Sequence, residues 1–302
     1  MRAKHSSHSL AAFPVYSSAF VSSTELVLGG GGGQSRTGVK NKLRLYNVNF
    51  EKDLSLLDEY ELEKGEDAPM SMAAYAATQQ LVCGVNSSLE ALEQGKNQNC
   101  RKFRVADGKL SFEASQSTLA ITVDTVDDDF QKVTVLSPDG AFVAVAGTKD
   151  LSLLRFPSLE PAAAPIHLSK GEIYDATFSP GNLVIATTVN LLVYALPTSK
   201  IDGESEKQSG KRKDTSALGL KLEKTVEPPS LSGDNAESSF RSARFHPADS
   251  KVMYTVVNTV PPRARTKKPS RKAFVCRWDT DKWEITKHRK VSDRNVTCFD
   301  IR

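Results

Sequence analysis

Long apolar runs are missing from this sequence. No window reaches about eighteen consecutive apolar residues, the length a helix needs to cross a bilayer, so nothing in the chain is built to span a membrane as a helix. Helical amphipathic periodicity is missing as well. Cysteine is scarce: Cys83, Cys100, Cys276 and Cys298 form no C-x-x-C pair, and no histidine lies at metal-ligand spacing. That excludes a zinc framework and suits a reducing compartment. Neither G-x-S-x-G nor H-E-x-x-H occurs. Of the five histidines, His246 sits in a turn motif and reads as a turn residue. The carboxylate run Asp124 to Asp129 lacks the glycine and distal glutamate of an EF-hand, so it reads as a solvated loop. The N-terminus begins basic, but Ser9, Pro14, Ser17 and Ser18 interrupt any signal-like apolar run. Charge is nearly balanced, 40 Lys and Arg against 36 Asp and Glu for a net +4, and gives no global argument for nucleic acid. Together these absences exclude an enzyme of covalent chemistry.

What is present is a repeated β pattern over 302 residues. Val133 to Leu136 leads into Ser137-Pro138-Asp139-Gly140, then Ala141 to Gly147, then Leu151 to Phe156. Tyr174 to Phe178 leads into Ser179-Pro180-Gly181, then Leu183 to Thr187, then Leu191 to Tyr194. Arg241 to Phe245 leads into His246-Pro247-Ala248-Asp249, then Val252 to Val257, then Ala273 to Trp278. Each unit is a strand, a proline turn, an apolar strand and an alternating strand. Proline presets φ for the turn, and Asp-Gly closes it. Two earlier units start at Pro14 and Met70, and a further strand is expected at Val296 to Ile301. The period, from about forty residues upward, is that of a four-stranded propeller blade. Trp278-Asp279 resembles the WD dipeptide that ends a blade strand. The expected fold is therefore all-β, a WD-repeat β-propeller with about five blades and part of a sixth. Residues 1–12 are expected to be a disordered N-terminus and 13–302 the propeller domain, incomplete because seven blades would need roughly 80 more residues. A sandwich, the other all-β choice, would not repeat the same turn at the same place.

Two insertions interrupt the blades. Ile201 to Ser216 is charged and nearly devoid of apolar residues, and is expected to be a solvated loop. Pro261 to Lys272 carries six basic residues. It reads first as a loop between two strands, and second as a contact for an anionic surface, lipid or nucleic acid. It holds no aromatic residue to stack on bases, which weighs against nucleic acid.

The stretch with no blade counterpart lies in the first unit. Leu26-Val27-Leu28 runs into Gly29, Gly30, Gly31, Gly32 and Gly33, then Gln34-Ser35-Arg36-Thr37, then Gly38, Val39, Lys40 and Asn41 before the strand from Lys42. A Walker phosphate loop needs G-x-x-x-x-G-K-[ST]. Gly33 to Gly38 has the spacing, but Val39 stands where the lysine belongs. A dinucleotide fingerprint needs a third glycine opening a helix, and here a strand follows. Two readings stay open: a plain long glycine-rich hairpin connection, and a loop carrying binding function on a β scaffold. Ordering five glycines is entropically expensive, so the loop either stays mobile or is held by an ion or a partner.

Pro14-Val15-Tyr16, Ala19-Phe20, Glu25 to Leu28, the glycine run and Gly38-Val39-Lys40-Asn41-Lys42-Leu43 resemble one family. The likeness continues through Cys83-Gly84-Val85-Asn86, Leu89-Glu90 and Arg101-Lys102-Phe103, and more weakly to residue 302. It is the fungal Sec-twelve family of endoplasmic-reticulum exchange factors, related to the animal prolactin regulatory element-binding protein. The resemblance implies a seven-bladed propeller on the cytosolic face of the endoplasmic reticulum, with a C-terminal membrane anchor that this chain does not contain. It implies release of GDP from a Sar-type small GTPase and loading of GTP, which starts COPII coat assembly and ER-to-Golgi transport. It further implies that Gly29, Gly30, Gly31, Gly32 and Gly33 hold a potassium ion through backbone groups, and that Gly38, Val39, Lys40 and Asn41 contact the GTPase. Where some members carry proline, this chain has Lys40. The alternative reading is a propeller acting only as a protein-interaction scaffold.

Overall fold

The computed structural model describes residues 7–34, 38–49, 53–197, 218–231, 236–260 and 271–301. The insertion 201–216 lies outside the described residues, as do residues 261–270 of the basic stretch. Among the described residues, strands dominate, and α1 (Leu89–Glu93) is the α-helix.

Among the described residues, twenty strands make five four-stranded sheets, each strand beside the next in sequence. The first holds β1 (Val15–Phe20), β2 (Glu25–Gly30), β3 (Lys42–Val48) and β4 (Leu54–Glu61). The second holds β5 (Ser71–Tyr75), β6 (Gln80–Gly84), β7 (Cys100–Ala106) and β8 (Lys109–Gln116). The third holds β9 (Val133–Leu136), β10 (Phe142–Ala146), β11 (Asp150–Arg155) and β12 (Ile166–His167). The fourth holds β13 (Ile173–Ser179), β14 (Asn182–Thr187), β15 (Leu191–Ala195) and β16 (Leu222–Val226). The fifth holds β17 (Glu237–His246), β18 (Asp249–Val260), β19 (Ala273–Asp279) and β20 (Glu284–Ser292). Contacts divide the chain into two compact units: Met1–Leu136 with Val145–Gly147, and Ser137–Ala144 with Thr148–Arg302.

The inner strands explain why these segments form sheets. β6, β10 and nearly all of β14 are buried on both faces, which is how a strand reads when side chains cover both sides of its sheet. In the first unit, Val27, Leu43 and Leu45 pack with Leu81, Cys83, Phe103 and Val105 of the second sheet. Phe103 is fully buried, with Tyr60 and Phe112 edge-on at 5.0 and 5.6 Å. In the second unit, Val184, Leu191 and Val193 pack with Phe240, Met253, Phe274, Cys276 and Trp278. A buried carboxylate ties the same two sheets: Asp175 accepts from the Ser242 hydroxyl, from the Ala243 N–H at 3.1 Å and from Arg244.

The repeated turns close as expected. The Ser137 hydroxyl donates to Asp139 at 2.6 Å and accepts from the Phe142 N–H at 2.9 Å. That bond to Ser137, ahead of the bond from Ala141, holds the Asp139 carboxyl below the usual range. His246 takes the serine's place: its Nδ1 accepts from the Ala248 N–H at 3.1 Å, which makes it a turn residue. Trp278 is buried and its Nε1 donates to Thr255 Oγ1 at 2.9 Å.

Three expectations are corrected. The outer strands β8, β16 and β20 carry no apolar run and were not among the expected strands. They form because each completes the ladder of an inner neighbour. Val296 to Ile301, expected to open a sixth blade, is not a strand. Instead Asn258 holds Val296 against the fifth sheet through both of its backbone groups, at 3.0 and 3.1 Å. Finally, Leu10, within the expected disordered leader, packs against a small cluster of Phe13, Leu28 and Tyr46.

Burial also settles thiol chemistry. Cys83, Cys100 and Cys276 are buried and free, and Cys298 is exposed. Desolvation pushes the Cys83 and Cys276 thiols up to about 12 and raises Cys100 as well. The nucleophile is the thiolate, so a thiol reagent at pH 8 should titrate one cysteine of four in the folded protein and all four in denaturant. More than one fast-reacting thiol in the folded protein would contradict this packing.

Candidate functional site

The glycine-rich connection is the second-to-third strand loop of the first sheet. Strand β2 runs two residues further than the sequence predicted. Gly29 and Gly30 pair with β1 on one side and β3 on the other, so their backbone groups belong to the ladder. Only glycine fits there: a Cβ on Gly30 would lie 2.1 Å from the Pro14 carbonyl oxygen. The loop proper starts at Gly31 and returns through Gly38, Val39, Lys40 and Asn41 to β3. Gly38 and Lys40 are exposed, Val39 half-buried.

Asn41 closes this loop from within. Its Oδ1 accepts from the Gly33 N–H at 2.9 Å, and its Nδ2 donates to the Gly33 carbonyl at 2.9 Å and to the Glu66 carbonyl at 2.7 Å. Both amide donors are thus used, and one lone pair of Oδ1 remains. The amide fits because Gly31 has no side chain. Its φ is +141°, and a Cβ there would sit 2.3 Å from Asn41 Oδ1. Two backbone bonds brace the base: the Gly31 N–H donates to Pro14 at 3.0 Å, and the Leu62 N–H to the Asn41 carbonyl at 3.0 Å. Lys40 reaches out to Glu61 at 2.6 Å, an exposed pair of small energetic weight.

Glu66, whose carbonyl receives Asn41, is itself anchored. Its buried carboxylate forms a fork with the buried Arg101 guanidinium, with Arg101 Nη1 at 2.8 Å from Oε2. It also accepts from the Glu63 N–H at 2.9 Å. Arg101 donates its Nε to the Gln98 carbonyl at 3.1 Å. A chain of bonds therefore runs from Gly33 through Asn41 and Glu66 to Arg101 on β7 of the second sheet. The sequence pointed to Asn41 and to Arg101 separately. Glu66 it did not single out, since one glutamate in a polar stretch gives no signal until its arginine is in place.

Beside the loop lies an acid without a counter-charge of its own in this network. Asp67 accepts from the Ala68 N–H at 2.7 Å. Burial, and secondarily the nearby Asp127, hold its pKa above the usual carboxylate range. Its Oδ1 is 3.5 Å from where a Gly33 Cβ would stand. The Asp67 N–H donates to the Asn86 carbonyl at 3.0 Å, and the buried Asn86 Oδ1 has no hydrogen-bond partner. An ionised Asp67 costs folding stability at neutral pH, because its folded pKa lies above its unfolded one. Asp67 thus sets a desolvated carboxylate beside Gly33, and carboxylate oxygen is a donor that suits a hard cation. Among the described residues, no cluster of three or more His, Cys, Asp or Glu side chains is placed to hold a metal ion. Asp124 to Asp129 makes hydrogen-bonded turns through Thr122 and Thr125. No described helix is long and apolar enough to cross a membrane.

The chain is similar to curated proteins named as guanine nucleotide-exchange factors. It is 30% identical over 178 residues to guanine nucleotide-exchange factor SEC12 of Candida glabrata, a match over 57% of this chain and 38% of that protein. It is 29% identical over 196 residues to the SED4 protein of Candida glabrata, over 62% of this chain and 18% of that one. It is 24% identical to SED4 of Saccharomyces cerevisiae over 58% of this chain and 16% of that protein. The match spans well under half the length of these relatives. No protein-family model matches the chain. In fold it resembles the β-propeller domain of Cps50 (Swd1) from Myceliophthora thermophila, with a TM-score of 0.54, 10% identity, and coverage of 92% of this chain and 74% of that one. A chain of the mitotic checkpoint complex gives a TM-score of 0.50 at 10% identity, over 80% and 60% of the two chains. At such identity the likeness concerns the fold alone, and it is the expected β-propeller.

The loop's internal bonds make a stability prediction. Asn41→Ala leaves three backbone groups unpaired and should cost about 1–3 kcal/mol, read as a lower urea midpoint with an unchanged m-value. Asn41→Asp should cost at least as much, since a carboxylate faces the Gly33 and Glu66 carbonyls with no donor. Glu66→Gln strips the partner from a buried guanidinium and should cost about 3–5 kcal/mol. Equal midpoints for all four proteins would show that the loop is not held by this chain of bonds.

Proposed function

We propose that this chain carries the propeller of a guanine nucleotide-exchange factor that releases GDP from a Sar-type small GTPase and admits GTP, initiating COPII assembly at the cytosolic face of the endoplasmic reticulum. The observation that carries this reading is the clamped glycine loop, a feature an ordinary blade connection does not need. The similarity to SEC12, itself named an exchange factor, supports it. Exchange requires no acid–base residues. The factor binds the nucleotide-free GTPase more tightly than the nucleotide-bound form, and by linkage the nucleotide is bound more weakly in turn.

In this mechanism the loop is the contact element. Gly38 and Lys40, exposed, and Val39, half-buried, stand at its return and face the GTPase, Val39 with an apolar contact and Lys40 with a charge now resting on Glu61. Asn41 acts mainly from inside: its amide fixes Gly33, and the free lone pair of Oδ1 is what it offers a partner. A loop ordered before binding loses less entropy on binding. Asp67, Asn86 and the carbonyls of Gly31, Gly32 and Gly33 are the groups that would hold a potassium ion. Bound there, the ion offsets the Asp67 charge and adds its binding free energy to the ordered loop.

A propeller that serves purely as an interaction scaffold is the rival, and fold alone serves it equally. The two part in one assay, release of a fluorescent GDP analogue from a Sar-type GTPase, run in potassium and in sodium. The parent chain should accelerate release, and more in potassium. Val39→Ser should slow exchange about tenfold, the scale of losing one apolar contact worth roughly 1–2 kcal/mol, with its unfolding midpoint unchanged. Asp67→Asn should abolish the difference between the two cations. GTPase binding without any acceleration by a folded parent would leave the scaffold reading.

A further inference from the structure

The outer strand of the fifth sheet differs from the other four. β4 carries Asp58, Glu59 and Glu61 and no cation, β8 carries Lys109 and Glu113, β16 carries Glu223 and Lys224, and β12 has His167 alone. β20 reads Glu-Ile-Thr-Lys-His-Arg-Lys-Val-Ser, with Lys287, His288, Arg289 and Lys290 consecutive and all exposed. An edge strand commonly carries a lysine to discourage pairing with another chain, but four consecutive basic residues exceed that need, and the sister strands manage without them.

The ladder gathers more charge at one corner. Ala273 pairs with Ser292, Phe274 with Lys290, Val275 with Arg289 and Arg277 with Lys287. Arg271 and Lys272, just before β19, therefore enter beside the end of β20 at Ser292, where Arg294 follows with its N–H on the Ser292 hydroxyl at 2.9 Å. Arg277 lies in the same row as Lys287 and donates to Thr286 Oγ1 at 3.1 Å. Among the described residues, Asp293 is an acid at this corner, and it pairs with Lys290. Among the described residues, no carboxylate lies within ion-pair distance of Lys287, Arg289 or Arg294. Such crowding of like charge raises the energy of the isolated fold, and a field of opposite sign relieves it.

We propose that this basic corner docks the protein on an anionic membrane surface, engaging lipid headgroup phosphates and carboxylates. Along the strand, successive side chains point to opposite faces. Lys287 and Arg289 thus flank one side of the edge, and His288 and Lys290 the other, so the charge fans outward as a flat surface requires. A peptide added as an extra strand is read through pockets for alternate side chains, and this edge offers long cationic side chains instead. Single-stranded nucleic acid asks for exposed aromatic platforms. The ring available here, His288, is turned edge-on to Phe274 at 6.3 Å. The contact is electrostatic and independent of the exchange reading.

The test is co-sedimentation of the full chain with vesicles of phosphatidylcholine alone or with about one-third phosphatidylserine, a content that gives a strongly negative surface. Binding should require phosphatidylserine and fade between low and physiological salt as the Debye length shortens. The triple variant Lys287→Gln, Arg289→Gln, Arg294→Gln should partition about 100-fold more weakly, at about fivefold per cation. The charge-preserving variant Lys287→Arg, Lys290→Arg should bind like the parent. These substitutions are at exposed positions, and an unchanged unfolding midpoint verifies the fold. Absence of binding to phosphatidylserine vesicles overturns the proposal. So does equal binding by the triple variant. Charge-dependent capture of a single-stranded oligonucleotide or of polyglutamate, without vesicle binding, overturns it in favour of that partner class.

Discussion

A four-stranded sheet whose inner strands are apolar on both faces cannot stand alone in water. This constraint governs the molecule. β6, β10 and β14 expose almost nothing, and each fully buried Leu, Val or Ile side chain contributes about 1.5–3 kcal/mol when water is excluded from it. The sheets must therefore be covered on both sides, and they are joined by apolar clusters drawn from neighbouring sheets within each unit. Polar groups caught at those junctions have to be satisfied there. Asp175 meets Ser242, Ala243 and Arg244. Ser71, Thr134, Gln131 and Asn99 bond to one another in the first unit.

The same constraint gives the glycine loop its footing. Glu66 and Arg101 pair where the first sheet's exit meets the second sheet. A buried pair of this kind adds little net stability over apolar residues, but breaking it is expensive, so the geometry it imposes is firm. Asn41 borrows that firmness by bonding the Glu66 carbonyl. The glycine-rich start of the loop, intrinsically costly to order, is thus tied through Asn41 to a buried ion pair. Order established before binding is not charged to a complex, which is the advantage such a tie would give the proposed exchange factor.

Charge follows a different logic. Outer strands face solvent, and packing places few demands on them, so their composition is free to serve other ends. β4 is acidic and β20 basic, although the two occupy the same position in their sheets.

The sequence by itself determined the fold class, the repetition of blade units, the turn chemistry at Ser137 and His246, and the singular glycine stretch from Gly29 to Asn41. All of these are local: proline and glycine preset backbone angles, and period-two apolar strands announce themselves without knowledge of their neighbours. Tertiary structure alone decided the rest. The polar strands β8, β16 and β20 exist because an inner neighbour offers a free ladder edge, which no local pattern records. Val296 to Ile301 has the pattern of a strand but no ladder to join, so it lies along the fifth sheet under Asn258. Glu66, Asp67 and Asn86 acquire meaning only when Gly33, Asn41 and Arg101 are brought beside them. Hydrogen bonds and desolvation depend on distance in space, and a sequence states distance along the chain.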